Sequence, residues 1–108
     1  QAFINVNQTT PVTSPVSSMA QTSNVGASDN VTSATGDLVF DIFDIFLTGT
    51  AALPSITPGA GQALGTRVTG TITNTPPDSA AYGTSLKPGA ASVTMSWTSN
   101  GAAMFMWQ

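Results

Sequence analysis

Alternation of polar and apolar residues is clearest over residues 92–97, SVTMSW. A period of two predicts a half-buried β-strand, because successive side chains of a strand point to opposite faces of the sheet. A second apolar run covers residues 102–108, and Asn100-Gly101 lies between the two runs. Asn-Gly is the strongest short hairpin signal, since both residues tolerate the positive φ of a type I′ turn. The pattern therefore predicts a hairpin whose loop is Asn100 and Gly101.

This hairpin register sorts the side chains onto two faces, because directly opposed residues share a face of a sheet. The opposed pairs are Trp97 with Met104, Met95 with Met106, and Val93 with Gln108, and they predict a core face. Phe105 and Trp107 then lie on the other face, unless the register is shifted by one residue, which would bury them instead. The outer edge of the second strand is left unpaired and is expected to accept another strand. This acceptor edge comprises Met104, Phe105, Met106 and Trp107.

The other end of the chain supplies a candidate for that additional strand. Residues 2–7, AFINVN, have the length and alternation of a short strand. The predicted assembly strand comprises Ala2, Phe3, Ile4 and Val6. Residues 9–18 contain two prolines among hydroxyl residues, which indicates an extended segment, because proline supplies no ladder donor. We therefore expect an N-terminal strand and arm over residues 1–18 and a folded body over residues 19–108.

The most apolar run, residues 37–47, has two interpretations. Its aspartates recur at helical spacing, as in an amphipathic helix. Its apolar residues are mostly Val, Ile and Phe, which favour a strand, and we predict a strand. A regular strand would point Asp41 and Asp44 to opposite faces, so we also expect a β-bulge near residues 42–43 that turns both outward.

Weaker patterns complete the fold prediction. Residues 66–73 alternate with Val68, Gly70 and Ile72 expected to face inward, and residues 80–86 form a weaker strand. Residues 19–33 read as two weak strands or as a strand and a loop, and residues 50–65 as a loop. Short strands between Gly/Pro turns predict an all-β chain with a single antiparallel β-sandwich, of jelly-roll or immunoglobulin-like type. A strand from a neighbouring copy could complete it.

Composition narrows the function classes. The 108 residues suffice for one core, and only 6% are charged, with a net charge of −3. Nucleic-acid binding is not expected, because phosphate neutralisation needs clustered Lys and Arg and the chain has two. No apolar run is long enough to span a bilayer. The absence of His and Cys removes the usual nucleophile–base pairs.

The remaining polar residues point to modification more than to catalysis. Asp41 and Asp44 are the only close carboxylate pair, and we interpret them as solvated residues rather than an acid–base pair. No spacing matches a calcium loop, so we predict no metal, no cofactor and no enzyme activity. Asparagine sequons and a hydroxyl-rich arm suggest glycosylation. The candidate acceptors are Asn7, Asn30, Thr9, Thr10 and Thr13.

Two longer patterns carry a family resemblance. Residues 58–62, PGAGQ, are followed by Arg67 and then by residues 85–97, SLKPGAASVTMSW. Together they resemble an unnamed family of exported bacterial surface domains, whose earlier central strand looks like residues 36–41, GDLVFD. The resemblance implies a small β-sandwich of repetitive extracellular proteins and no catalytic residues. The final strand departs from the family pattern, because it stops at Gln108 as if the chain were circularly shifted.

Three functions are consistent with these observations. The first is a structural subunit of an extracellular filament, sheath or repeat fibre, in which residues 2–7 of one copy add to the acceptor edge of the next copy, head to tail. The second is a carbohydrate-binding module with Phe105 and Trp107 as a stacking platform. The third is an accessory domain of a larger surface protein. Since the chain begins with Gln rather than Met, we expect a processed chain, an excised segment or one period of a longer repeat, located outside the cell or at the cell surface.

Overall fold

A computed structural model describes residue 9, residues 16–17 and residues 19–107, with the side chains of residues 26–100 described within the latter range. Within these residues the chain forms six strands and no helix. The strands are β1 (Met19–Val31), β2 (Leu38–Leu47), β3 (Ile56–Pro58), β4 (Ala63–Ile72), β5 (Asp78–Pro88) and β6 (Val93–Trp107). The all-β prediction is therefore confirmed. No helix able to cross a membrane occurs among the residues described.

The strands form two antiparallel three-stranded layers, as expected of a small β-sandwich. β3, β6 and β1 make one layer, and β2, β5 and β4 make the other. The end of β6 also pairs with β2, so the hydrogen-bonded order runs continuously as β1-β6-β2-β5-β4, with β3 beside β6. The predicted sandwich is confirmed. β1 and β4 are the strands at the two ends of the hydrogen-bonded order.

β2 is a regular strand, as predicted, and the helical alternative is wrong. Burial alternates along it, and its inward residues are Val39, Asp41, Phe43, Ile45 and Leu47. The predicted bulge near residues 42–43 is also wrong, because the pairing of β2 with β5 is unbroken from end to end. Asp41 therefore points into the core and Asp44 points outward.

The core lies between the two layers and is centred on an aromatic pair. The rings of Phe43 and Trp97 stack with centroids 5.4 Å apart. Around them pack Ile45, Leu47, Ile56 and Ala81. A second buried cluster of Val39, Val93 and Met95 lies farther along the sandwich. Burial of Val93, Met95 and Trp97 confirms the predicted parity of residues 92–97.

The predicted hairpin at Asn100-Gly101 is wrong, because β6 continues through both residues. The pairing of β6 with β1 is irregular at this point, because Thr98 lies opposite Gly26 while Ala103 lies opposite Asn24, and the described ladder skips residues 99–102. β1 runs along one side of β6, and on the other side Ser55 and Asn100 exchange hydrogen bonds of 2.8 and 3.1 Å, the first to the Asn100 side chain. Long-range pairing thus outweighs the local turn preference. The residues opposite Val93, Met95 and Trp97 in β1 are Val31, Asp29 and Ala27.

The predicted acceptor edge over Met104, Phe105, Met106 and Trp107 is wrong as well. On one side this part of β6 pairs with β1, and on the other side it pairs with β2. Phe105, for example, lies between Gln21 and Phe46. From residue 105 to residue 107 both sides of the strand are therefore paired within the same chain.

β4 has the reverse orientation from the one that its pattern predicted. Val68 lies opposite Tyr82 on the outer side of the layer, whereas Arg67 lies opposite Gly83, which is buried. Every residue of β4 is exposed, and among the described strands β4 packs mainly against β5. The strand also has a bulge at residues 65–66, both of which face Thr84. β3 lies within residues 50–65, for which we predicted only a loop, and residues 19–31 form one irregular strand.

Candidate functional site

A buried carboxylate organises the polar part of the core. Asp41 Oδ1 accepts hydrogen bonds from the backbone N–H (3.0 Å) and the hydroxyl of Ser85. Asp41 Oδ2 accepts one from Trp97 Nε1 (2.8 Å) and a longer one from Gln62 Nε2 (3.4 Å). A carboxylate is tolerated in an apolar interior when such donors replace its water. Asp41 is therefore held by donors from three separate parts of the chain.

Gln62 enters this network from the turn between β3 and β4. Its Nε2 also donates to Ser85 Oγ (2.7 Å), and its Oε1 accepts from the backbone N–H of Ser96 (2.8 Å). The turn is closed by a hydrogen bond from Gln62 N to Gly59 O and another from Gly59 N to Ser96 O. A Cβ at Gly59 would collide with the Ser96 hydroxyl and the Gln62 side-chain oxygen, so a larger residue there would have to displace both side chains. The loop thus inserts the Gln62 amide between the two layers.

The Asp41 network joins the layers and offers little to a substrate. Both oxygens of the carboxylate already accept hydrogen bonds, and Asp41 is buried. Asp44, its only close carboxylate in sequence, lies on the opposite face of β2, so the two cannot act on one substrate as a pair. No group of three metal-ligating acidic, His or Cys side chains occurs among the described residues.

Both cations of the chain donate to backbone carbonyls nearby. Lys87 Nζ donates to Ala60 O (3.0 Å) and Thr94 O (3.1 Å), and so ties the Gly59–Gln62 turn to β6. An Arg67 guanidinium nitrogen donates to Ile56 O (3.2 Å). The patterns that carry the family resemblance therefore converge in space. The sequence predicted only a loop for residues 58–62. Their occurrence in one pattern with residues 85–97 was a signal that the two segments lie close together in the fold.

β4 offers a free edge for intermolecular pairing. Within the described residues it pairs only with β5, and its other row of backbone groups faces outward. Beyond the bulge, residues 67–72 are regularly paired with β5 and contain neither Pro nor Lys, two residues that commonly protect edges. The Arg67 side chain is turned toward the Ile56 carbonyl. Among the described residues, no strand pairs with the outer side of residues 67–72.

The outer face of the β2-β5-β4 layer is mainly apolar. Its large residues are between 42% and 51% exposed: Leu38, Phe40, Ile42, Val68, Ile72 and Tyr82. Asp44 lies among them, opposite Tyr82. Partial burial raises the pKa of Asp44 above its ordinary value, against a smaller lowering by the hydrogen bond from the Ile45 backbone. We refer to this surface as the outer apolar face.

The other residues predicted for function lie partly outside the described residues. Ala2, Phe3, Ile4, Val6, Asn7, Thr10 and Thr13 belong to that undescribed part, as do the side chains of Phe105 and Trp107. Their predicted roles stay predictions. Thr9 is exposed, and Asn30 is exposed on β1 with its Oδ1 accepting a hydrogen bond from Thr94 Oγ1 (2.7 Å). That bond does not use Nδ2, the atom that N-glycosylation modifies.

No family model, no curated protein and no solved structure matches this chain. Function is therefore inferred from the geometry of the chain itself.

Proposed function

We propose that this chain is a structural subunit of an extracellular filament, sheath or repeat fibre, without a catalytic role, that assembles head to tail by β-strand addition. The free edge of β4 carries this proposal. A long exposed edge strand invites pairing with another chain, and native proteins usually cover or interrupt it. Here ten residues are exposed on both faces, and only the bulge and Arg67 interrupt the edge.

The donor in this proposal is the segment of residues 2–7 from a neighbouring copy. Its six residues equal the regular stretch of β4, residues 67–72, in length. Main-chain hydrogen bonds supply most of the affinity in strand addition, while alternate side chains supply specificity. Each net hydrogen bond contributes about 0.5–1.5 kcal/mol, so a strand of this length gives a contact of a few kcal/mol.

β4 suits this donor better than β1, the strand at the other end of the order. Val68 and Ile72 project from one face of β4 and are about half exposed. A donor with Ala2, Ile4 and Val6 on one side would extend this apolar row. The described outward residues of β1, Ser28 and Asn30, are polar and exposed, so an added strand would bury less apolar surface there.

The contact is heterologous, because it joins the N-terminal segment of one copy to β4 of another. Such a contact produces an open chain of subunits when it does not close on itself. Residues 9–18 would act as the connecting arm, and a proline-bearing segment of ten residues reaches about 30 Å at ~3.1 Å per residue. The Ser- and Thr-rich, weakly charged composition suits an exported, glycosylated polymer, with Asn30 and Thr9 as exposed acceptors.

Electron microscopy and sedimentation of the full chain test this proposal. We expect filaments for the wild-type chain and their loss on deletion of residues 1–7. Replacing Thr69 and Thr71 together by Lys should have the same effect, because lysines on an edge oppose strand pairing. The matched control is Thr98→Lys, an exposed threonine on the interior strand β6, which should leave filaments intact.

Filaments that persist in both the deletion and the Thr69→Lys/Thr71→Lys variant would overturn assembly through β4. A wild-type chain that stays monomeric at millimolar concentration would overturn the structural-subunit proposal itself. Circular dichroism of each variant verifies that the sandwich is folded.

A further inference from the structure

The outer apolar face is a second surface that strand addition along β4 does not fully cover. β2 contributes Leu38, Phe40 and Ile42, which lie away from the free edge of the sheet, with β5 between β2 and β4. Large exposed apolar patches on small soluble domains usually mark interaction sites. From this face we infer that two copies of the chain pair face to face through their β2-β5-β4 layers, as an isologous dimer. This inference is independent of the proposed strand addition.

The polar groups on the face are complementary to themselves. Asp44 of β2 and Tyr82 of β5 are directly opposite each other in the sheet. Within residues 26–100 the Tyr82 hydroxyl has no recorded hydrogen-bond partner, and it can donate to a carboxylate. In an isologous contact residue i meets residue j and residue j meets residue i. A two-fold axis close to this pair therefore sets each Asp44 carboxylate against the Tyr82 hydroxyl of the other copy.

The charges on the described face argue against an anionic partner. Both cations of the chain, Arg67 and Lys87, donate to carbonyls away from this face. Asp78, at the end of β5, accepts hydrogen bonds from Gly49 N and Asn74 Nδ2. Asp44 is therefore the one carboxylate in the middle of the described face. A nucleic acid or an acidic glycan would meet no positive charge there.

The size of the face fits a weak dimer. Three strands about 4.8 Å apart and ten residues long present roughly 450 Å² in projection. A standard interface takes about a tenth of the surface of a small protein, or about 650 Å² of the 6572 Å² of this chain. The pairing therefore belongs with small interfaces, and we expect dissociation in the micromolar to millimolar range. Apolar sheet faces stack about 10 Å apart in this way in β-sandwiches.

Sedimentation equilibrium of the full-length Thr69→Lys/Thr71→Lys variant tests the pairing, because this variant is blocked at the β4 edge. We expect a monomer–dimer equilibrium. Adding Phe40→Lys should weaken the dimer at least tenfold, since it places a cation of each copy in an apolar contact. Adding Thr98→Lys, on the opposite layer, should leave the dimer unchanged. A monomer at every concentration, or equal dimerisation with Phe40→Lys, would overturn the inference and leave the proposed filament untouched.

Photo-oxidative cross-linking gives a second readout, because Tyr82 is the single tyrosine of the chain. A face-to-face dimer brings the two Tyr82 rings close together, and we expect a dityrosine-linked dimer that Tyr82→Phe abolishes. A dimer in sedimentation without any dityrosine product would exclude the axis beside Asp44 and Tyr82. If the Thr69→Lys/Thr71→Lys variant forms dimers while the wild-type chain forms no filaments, the face-to-face pairing is supported and the proposed strand addition is rejected.

Discussion

The indole Nε1 of Trp97 donates a hydrogen bond of 2.8 Å to Oδ2 of Asp41, across the space between the two layers. Trp97 belongs to β6 and Asp41 to β2, so this bond joins opposite sides of the sandwich. A buried tryptophan needs a partner for its N–H, and a buried carboxylate needs donors. One contact satisfies both requirements beside the stacked rings of Phe43 and Trp97.

Replacing Asp41 by Ala should strongly destabilise the fold. The change leaves the Trp97 indole N–H and the Ser85 backbone N–H and hydroxyl without their acceptor in a buried site, and Gln62 loses its longer bond. An unsatisfied buried polar group costs about 1–3 kcal/mol, so we expect a loss of about 3 kcal/mol or more in the free energy of unfolding. Urea unfolding followed by tryptophan fluorescence measures it.

Asp44→Ala is the matched control for this change, because it removes the same group from the outward face of the same strand. We expect it to alter the free energy of unfolding much less than Asp41→Ala does. Equal losses for the two variants would show that the buried hydrogen bonds of Asp41 do not stabilise the fold.

Gly83→Ala should destabilise the protein by overpacking the core. A Cβ at Gly83 would lie 2.7 Å from Cη2 of Trp97 and 3.0 Å from Cδ1 of Ile56. Overpacking of this kind costs about 1–3 kcal/mol. Gly70→Ala, in the neighbouring strand β4, meets no atom within 4 Å and should be neutral or slightly stabilising. Thermal unfolding of the two variants decides between these expectations, and a tolerated Gly83→Ala would contradict the close approach of β5 to Trp97.

Asp44→Asn should change how stability depends on pH. Burial raises the pKa of Asp44 above its ordinary value of 3.8. The carboxyl thus favours folding in its neutral form: its contribution is complete below the unfolded-state pKa and is lost as the pH rises through the folded-state pKa. We expect Asp44→Asn to gain stability relative to the wild type between acidic and neutral pH. Urea unfolding at pH 3 and pH 7 measures this, and a difference that does not change with pH would refute it.

Asp29→Val should stabilise the protein. Oδ2 of Asp29 is buried without a hydrogen-bond partner in the described structure, and Asp29 lies opposite the buried Met95. Removing an unsatisfied polar atom recovers about 1 kcal/mol, and valine suits a strand. Asp29→Asn keeps a polar group at the site and should gain less. A higher melting temperature for Asp29→Val than for Asp29→Asn is expected, and the reverse order would contradict this assignment.

Local periodicity was sufficient to predict the strands that form the core. The alternation of residues 92–97 predicted which of their side chains are buried, and the β-branched and aromatic residues of β2 predicted a strand. These properties depend on the two-residue repeat of the backbone, which is local. Short Gly/Pro-bounded strands also sufficed to predict an antiparallel sandwich in a chain too small for two cores.

Only the tertiary structure decided which faces of β2 and β4 turn inward and which strands are neighbours. Asp41 can face the core because donors arrive from residues 21, 44 and 56 positions away in the sequence. β6 continues through Asn100-Gly101 because Ser55 bonds Asn100 and because β1 and β2 pair with the strand farther along, at residues 105–107. Val68 faces outward because its pairing with β5 places it opposite the outward Tyr82, while Arg67 lies opposite the buried Gly83. In each case residues far apart in the sequence decide where a side chain or backbone group lies, against the preference of its local sequence. No local pattern of polar and apolar residues contains that information.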